Sequence, residues 1–240
     1  MEKNNESSVT RRPELAKYCD HTVLKAFTKK EIVEAFCDEA IKYGAASVCV
    51  NPYNVPQVSK KLKGTGIKTC TVIGFPLGAN KPSVKAFEAA EAVKDGAEEL
   101  DMVVNVGALR DKDYALVSED IAGVVKAARN KAKVKVIIET CYLTPEEIAV
   151  VSKLCEKAGA HYVKTSSGFG TRGASVEDLK IIRGAVGADM KIKASTGILT
   201  QEDALKMLGA GASRLGVSTT IHIVEGDTSI VTTSSRNKAP

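Results

Sequence analysis

From Leu15 to Val224 the chain alternates between two patterns of apolar positions. Short runs rich in valine and isoleucine read as buried strands, and longer stretches with apolar residues at helical spacing read as helices. A repeated glycine-alanine pair marks the helix ends, at Gly44-Ala45, Gly96-Ala97, Gly159-Ala160 and Gly211-Ala212. Glycine adopts the left-handed conformation of a C-terminal cap at little cost. Each pair precedes a strand, over 47–50, 99–104, 161–164 and 213–216, and further strands fall near 67–73, 134–138 and 190–194. An apolar piece over 15–19 runs into Asp20 and supplies the first strand end. Helix starts are also marked. Thr28 with Glu31 and Thr144 with Glu147 have capping-box spacing, and Ser175 with Asp178 and Thr200 with Asp203 repeat it with a shorter acid.

A strand-helix-strand-helix unit repeated four times predicts an α/β protein. It is read as a single-domain (β/α)8 TIM barrel with a short N-terminal helical segment. A doubly wound sheet would gather its polar strand ends at one crevice. Here they are spread over Asp20, Asn51, Asp101, Glu139, Lys164 and Lys193. The barrel is expected over 14–226, with loose tails over 1–13 and 227–240.

Composition narrows the function. The 240 residues carry a formal net charge of +5, which suits a small anionic ligand. No basic run with interleaved aromatics points to nucleic acid. No apolar run reaches the ~18 residues of a membrane span, and the first residues lack a secretory apolar region, so a cytoplasmic location is expected. The six cysteines form no Cys-x-x-Cys and read as buried free thiols of a reducing compartment. The three histidines lack ligand spacing, so no metal is expected, and His21, His161 and His222 read as structural.

The strand ends carry the chemistry. Lys164 and Lys193 close the sixth and seventh strands, which are neighbours in a barrel, so their side chains should converge. A nearby ammonium and partial burial lower a lysine's pKa toward roughly 7–8, which multiplies the neutral, nucleophilic form. Such a lysine suits Schiff-base chemistry, although both lysines could instead bind a phosphate. Lys191 shares the parity of Lys193 but lies at the strand start, on the stability face, and is given no catalytic role. Asp101, at the end of the fourth strand, could hold Lys193 charged and pass protons. Asp20 and Glu139 are weaker candidates for relay or positioning. Three late loops suit an anion: Gly168 and Gly170 after strand six, Thr196 and Gly197 after strand seven, and Gly216, Ser218 and Thr219 after strand eight.

These residues resemble the deoxyribose-phosphate aldolase family of class I, metal-free aldolases. The likeness runs from about Leu15 to Val224. Its most specific part is Val163-Lys164-Thr165-Ser166-Ser167-Gly168, similar to the family's Schiff-base motif. Asp20-His21-Thr22, Val48-Cys49-Val50-Asn51-Pro52, Gly74-Phe75-Pro76-Leu77-Gly78, Glu99-Leu100-Asp101-Met102-Val103, Val136-Ile137-Ile138-Glu139-Thr140 and Lys191-Ile192-Lys193-Ala194-Ser195 match as well. The resemblance implies that Lys164 forms the imine, Lys193 perturbs its pKa and Asp101 relays protons. It implies reversible cleavage of 2-deoxy-D-ribose 5-phosphate to D-glyceraldehyde 3-phosphate and acetaldehyde, with no cofactor. Barrels of this kind often form homodimers. The alternatives are another phosphosugar enzyme on the same barrel and a non-catalytic sugar-phosphate sensor. Two positions depart from the family pattern: Thr196 stands where a glycine is usual, and Thr219 where a serine is usual. The C-terminal tyrosine of some members is missing, since the last tyrosine here is Tyr162.

Overall fold

The structure, a computed structural model, describes residues 10–239. Residues 1–9, part of the expected N-terminal tail, lie outside the described residues. Eight strands form one closed parallel barrel in sequence order. They are β1 (Cys19–Val23), β2 (Ser47–Val50), β3 (Lys68–Ile73), β4 (Glu99–Val103), β5 (Lys133–Ile137), β6 (Tyr162–Lys164), β7 (Lys191–Ser195) and β8 (Arg214–Val217). The helices are α1 (Lys30–Tyr43), α2 (Val55–Leu62), α3 (Pro82–Lys94), α4 (Val106–Arg110), α5 (Tyr114–Ala128), α6 (Pro145–Lys157), α7 (Val176–Ala185), α8 (Gln201–Gly209), α9 (Thr220–Glu225) and α10 (Thr233–Arg236). No helix among the described residues is long and apolar enough to cross a membrane.

The repeated glycines do what the pattern requires. Gly44, Gly96, Gly159 and Gly211 all have positive φ, from 74° to 106°. Each turns the chain from a helix into the next strand. Capping boxes form at Thr144 and Thr200, and Ser175 caps α7 through the Asp178 N–H. The box expected at Thr28 does not form, because α1 begins one residue later, with Lys29 at its N-cap. Thr28 accepts a hydrogen bond from Asn237 instead, at 3.0 Å.

The apolar core lies between strands and helices. Residues such as Val48, Leu100, Val136 and Ile192 point outward from the barrel and pack on helix residues such as Phe36, Ile121 and Leu179. The opposite faces of the strands point into the barrel, where the apolar content is small: Cys49, Cys70 and Val72, with Leu24 and Phe75 beside them. Val103 and Ile137 share the parity of Asp101 and Lys135 and add to it, and Asp20, Glu99, Asp101, Lys135, Lys164 and Lys193 make much of that interior charged. The short N-terminal helical segment is present as a 3-10 helix, Pro13–Tyr18, and β1 begins at Cys19. Proline at the helix start fixes the turn.

Candidate active site

Lys164 is the last residue of β6, and its register partner on β7 is Lys193, so both side chains point into the barrel. Their ammonium groups donate to the same atom, Asp101 Oδ2, each at 2.7 Å. Lys193 also donates to Asp20 Oδ2. The four residues singled out by sequence therefore meet, though not where expected. Asp101 is the third residue of β4, and Asp20 is the second of β1. β4 runs on through Met102 and Val103 because Val103 pairs with Ile137 of β5. The two carboxylates consequently lie below the barrel mouth, as a buried floor.

Three members of this floor were missed by the sequence reading. Lys135, fully buried on β5, reaches Glu99 Oε2 at 2.6 Å, Asp101 Oδ1 at 2.8 Å and Asp20 Oδ2 at 3.4 Å. Arg214 of β8 donates to Asp20 Oδ1 at 2.6 Å and Glu99 Oε2 at 2.9 Å. A usable signal was present: a lysine between Val134 and Val136 in an apolar strand must point into the barrel or against the helices. A charge in either place needs partners.

Burial opposes the charges of Asp20, Asp101, Lys135 and Lys193, yet the neighbours outweigh it. The ammoniums of Lys135, Lys164 and Lys193 hold Asp101 well below the usual carboxylate range. Asp20 is held low in the same way by Lys135, Lys193 and Arg214. Conversely, the carboxylates of Asp101 and Asp20 raise both Lys193 and Lys135 above the ordinary lysine value. Lys135, Lys164, Lys193 and Arg214 thus face Asp20, Glu99 and Asp101, one cation more than the carboxylates. Of its three amines, Lys164 is the one that lines the cavity above. Cys49, Cys70 and Asp101 bring ligand-type atoms within 4.8 Å of one another, but three ammoniums already bond Asp101 and oppose a metal cation there.

Above Lys164 lies a cavity of about 250 Å³. Gly168, Thr196, Gly197, Gly216 and Ser218 line it, as the loop pattern suggested. The N–H groups of Gly168, Gly197 and Ser218 donate to no backbone carbonyl among the described residues, so they are open to an anion. Gly216 is required for space: a Cβ there would sit 2.3 Å from Ser195 Oγ and 2.9 Å from Lys193 Cε. Ser195 Oγ is buried with no hydrogen-bond partner, and Ser195 also lines the cavity. Thr196 has φ 70°, a strained value for a β-branched residue, where the family pattern has glycine. Two expected residues are not in the lining. Thr219 turns its hydroxyl to Ile198 O at 3.0 Å. Gly170 backs onto Cys141, whose Sγ would be 2.5 Å from a Cβ there.

The remaining candidates have other tasks. Glu139 forms no ion pair among the described residues; it accepts from the Ser167 N–H at 3.1 Å and from the Ser167 hydroxyl, fixing the loop after Lys164. His21 is buried between Glu39 Oε2 at 3.0 Å and Thr220 Oγ1 at 2.9 Å. Lys191 is exposed at the start of β7, over the Tyr162 ring at 5.8 Å. The C-terminal segment, expected to be loose, carries α10 with its own capping box at Thr232. Glu39 accepts from the Thr233 N–H at 3.0 Å, and Ser234 and Asn237 join the cavity wall.

A closed parallel barrel that seats a lysine on a buried carboxylate, beneath a cavity rimmed by glycine loops, is an enzyme scaffold for carbonyl compounds bearing an anionic group. Comparison with known proteins specifies it further. The profile described as DeoC/LacD family aldolase matches residues 15–219. The deoxyribose-phosphate aldolase of Thermococcus kodakarensis is 55% identical over 216 residues, covering 89% of this chain and 96% of the relative. That of Clostridium perfringens is 53% identical over 218 residues, covering 91% and 97%. Among solved structures, the aldolase QR15 superposes with a TM-score of 0.84 at 42% identity, covering 88% of this chain and 95% of that one. The tetrameric deoxyribose phosphate aldolase from Aeropyrum pernix gives 0.82 at 32% identity, covering 89% and 90%. The chain belongs to the DeoC/LacD family of aldolases.

Proposed function

We propose that the protein reversibly cleaves 2-deoxy-D-ribose 5-phosphate to D-glyceraldehyde 3-phosphate and acetaldehyde through an imine on Lys164. The observation that carries this reading is the Lys164 amine, seated on Asp101 Oδ2 at 2.7 Å and facing the cavity. The shared names of the relatives support the substrate.

In the cleavage direction Lys164 Nζ adds to C1 of the open-chain aldehyde, and loss of water gives an iminium. A base takes the C3 hydroxyl proton, with Asp101 and Lys193 as the relay through a water molecule. The C2–C3 bond breaks toward the iminium and leaves an enamine, which releases D-glyceraldehyde 3-phosphate. Protonation of the enamine and hydrolysis then release acetaldehyde and the free amine. Lys193, kept cationic by two carboxylates, holds Asp101 in place and opposes further positive charge in the floor. Asp20 positions Lys193. A homodimer and a cytoplasmic location belong to the same reading. Exposed Tyr53, Leu77 and Phe87 offer apolar surface for self-association, which sizing by light scattering would measure.

Borohydride reduction in the presence of acetaldehyde, followed by peptide mapping, tests the chemistry. An ethyl adduct is expected on Lys164 alone. An adduct elsewhere, or one that persists in Lys164→Arg, would overturn the assignment. A coupled assay for acetaldehyde release tests the substrate.

A further inference from the structure

The cavity lining contains two cationic side chains, Lys164 and Lys25, and no carboxylate. Under the reading above, Lys164 becomes part of an imine. A phosphomonoester near neutral pH carries close to two negative charges, and a partly enclosed cavity penalises that charge unless it is matched. The open N–H groups of Gly168, Gly197 and Ser218 supply dipoles but no net charge. α9, which follows the last loop, has only six residues and adds little field of its own. The counter-charge must come from elsewhere in the lining.

Lys25 is placed for it. It follows β1, whose neighbours in the closed barrel are β8 and β2. Its ammonium lies 6.0 Å from the centroid of the Phe169 ring, directly after Gly168. The side chain therefore spans the rim from the first loop to the sixth. It has no ion-pair partner among the described residues, and contact with an aromatic face is a weak hold for an exposed ammonium. The surfaces around it are fixed. Phe169 is braced edge-on by Phe75 at 5.3 Å. The first loop is held by Asn51 Nδ2 to Leu24 O at 3.3 Å, Thr28 N to Lys25 O at 3.0 Å, and the Asn237 contact to Thr28. An exposed cation on a hydrogen-bonded loop, beside open N–H donors, is placed to reach a phosphate in the cavity.

We propose that Lys25 is the cation that pairs with the substrate phosphate, leaving the Phe169 face when substrate binds. The proposal rests on the phosphosugar aldolase reading and adds a specificity-determining residue to it. Its test is the kinetics of Lys25→Met with deoxyribose 5-phosphate and with unphosphorylated deoxyribose. A lost charge-assisted contact should raise KM for the phosphorylated substrate roughly 10- to 100-fold. Turnover at saturation should stay within about threefold, and kcat/KM for deoxyribose should not change. Lys25→Arg should restore most of the phosphate preference. An unchanged KM, or equal losses on both substrates, would overturn the proposal, the second because it indicates a structural role. Calorimetric titration with inorganic phosphate separates the two readings. Weaker binding to Lys25→Met than to the unsubstituted protein upholds the cation role even where no Lys164 adduct forms, and equal binding overturns it whatever the activity.

Discussion

Lys135 and Lys85 are both fully buried lysines that contact carboxylates, and their surroundings drive them in opposite directions. Lys135 sits in the barrel floor among Glu99, Asp101 and Asp20, and those carboxylates outweigh burial and raise it well above the ordinary value. Lys85 of α3 reaches one carboxylate, Asp120 of α5, at 2.5 Å, and a carbonyl, Val103 O, at 2.8 Å. There burial outweighs the single partner, so Lys85 is lowered and Asp120 is raised. Asp120 Oδ1 has no hydrogen-bond partner among the described residues. One ion pair does not offset the desolvation of two ions, whereas carboxylates each shared by several cations keep their charge in a dry interior. The barrel floor is thus a set of fixed ions on which the Lys164 amine rests. The helix pair is a brace: its lysine stem packs under Gly74, where a Cβ would lie 2.8 Å from Lys85 Cε.

The largest expected effect comes from removing the hub of the floor. Lys135→Met leaves Glu99 and Asp101 short of a buried donor and should destabilise the protein by about 3–5 kcal/mol. Turnover should fall with it, because Asp101 then keeps only Lys164 and Lys193 as ammonium partners. Urea unfolding and the acetaldehyde assay measure the two effects. A stability change under about 1 kcal/mol would show that the floor is no more cooperative than the helix pair.

Lys85→Met should cost less, about 1–3 kcal/mol, because Asp120 can take up a proton. The two regions also differ in pH dependence. Asp20 and Asp101 are held below their ordinary range. Their contribution is complete above about pH 4 and is lost as pH falls through the folded-state values. Asp120 is raised, so its contribution is complete below about pH 4 and is lost as pH rises through the folded value. The penalty of Lys85→Met should therefore be smaller at pH 5 than at pH 7, by up to about 1.4 kcal/mol per unit. Unfolding curves at both values check this, and an equal penalty would mean that Asp120 stays ionised without its lysine.

The same contrast separates what the sequence made legible from what it did not. Strand-helix alternation and the glycine repeat are local patterns, and the closed eight-stranded barrel follows them. Lys164 and Lys193 were legible through the motif and the neighbouring strands. The depth of Asp101 was not, because the end of β4 is decided by pairing with β5 rather than by the residues of β4. Arg214 and Glu99 meet across 115 residues of chain, and no local window carries such a contact. The same holds for Thr28, where Asn237 of the far terminus takes the place of a helix cap, and for Thr233, which docks on Glu39. A Ser/Thr-rich composition reports weak apolar burial, but not the hydrogen-bonding sites waiting elsewhere on the fold.

The smallest expected effect discriminates most sharply between the two regions. If the Lys85–Asp120 pair is a brace whose charge is barely sustained, replacing both partners should remove the desolvation penalty together with the attraction. Lys85→Met keeps the stem that packs under Gly74, and Asp120→Leu supplies an apolar side chain of nearby size. The double variant should then lie within about 1 kcal/mol of the original protein, although Lys85→Met alone is destabilising. The difference between the single and double variants measures the cost of leaving Asp120 buried without a partner. The lost contact to Val103 O works against recovery, and so limits it. Pairing Lys135→Met with Asp101→Leu should show no such recovery, because Lys164, Lys193, Glu99 and Asp20 would each lose a shared partner. If both double variants recover, shared carboxylates do not distinguish the barrel floor from the helix pair, and Lys164 stands on an ordinary buried ion pair.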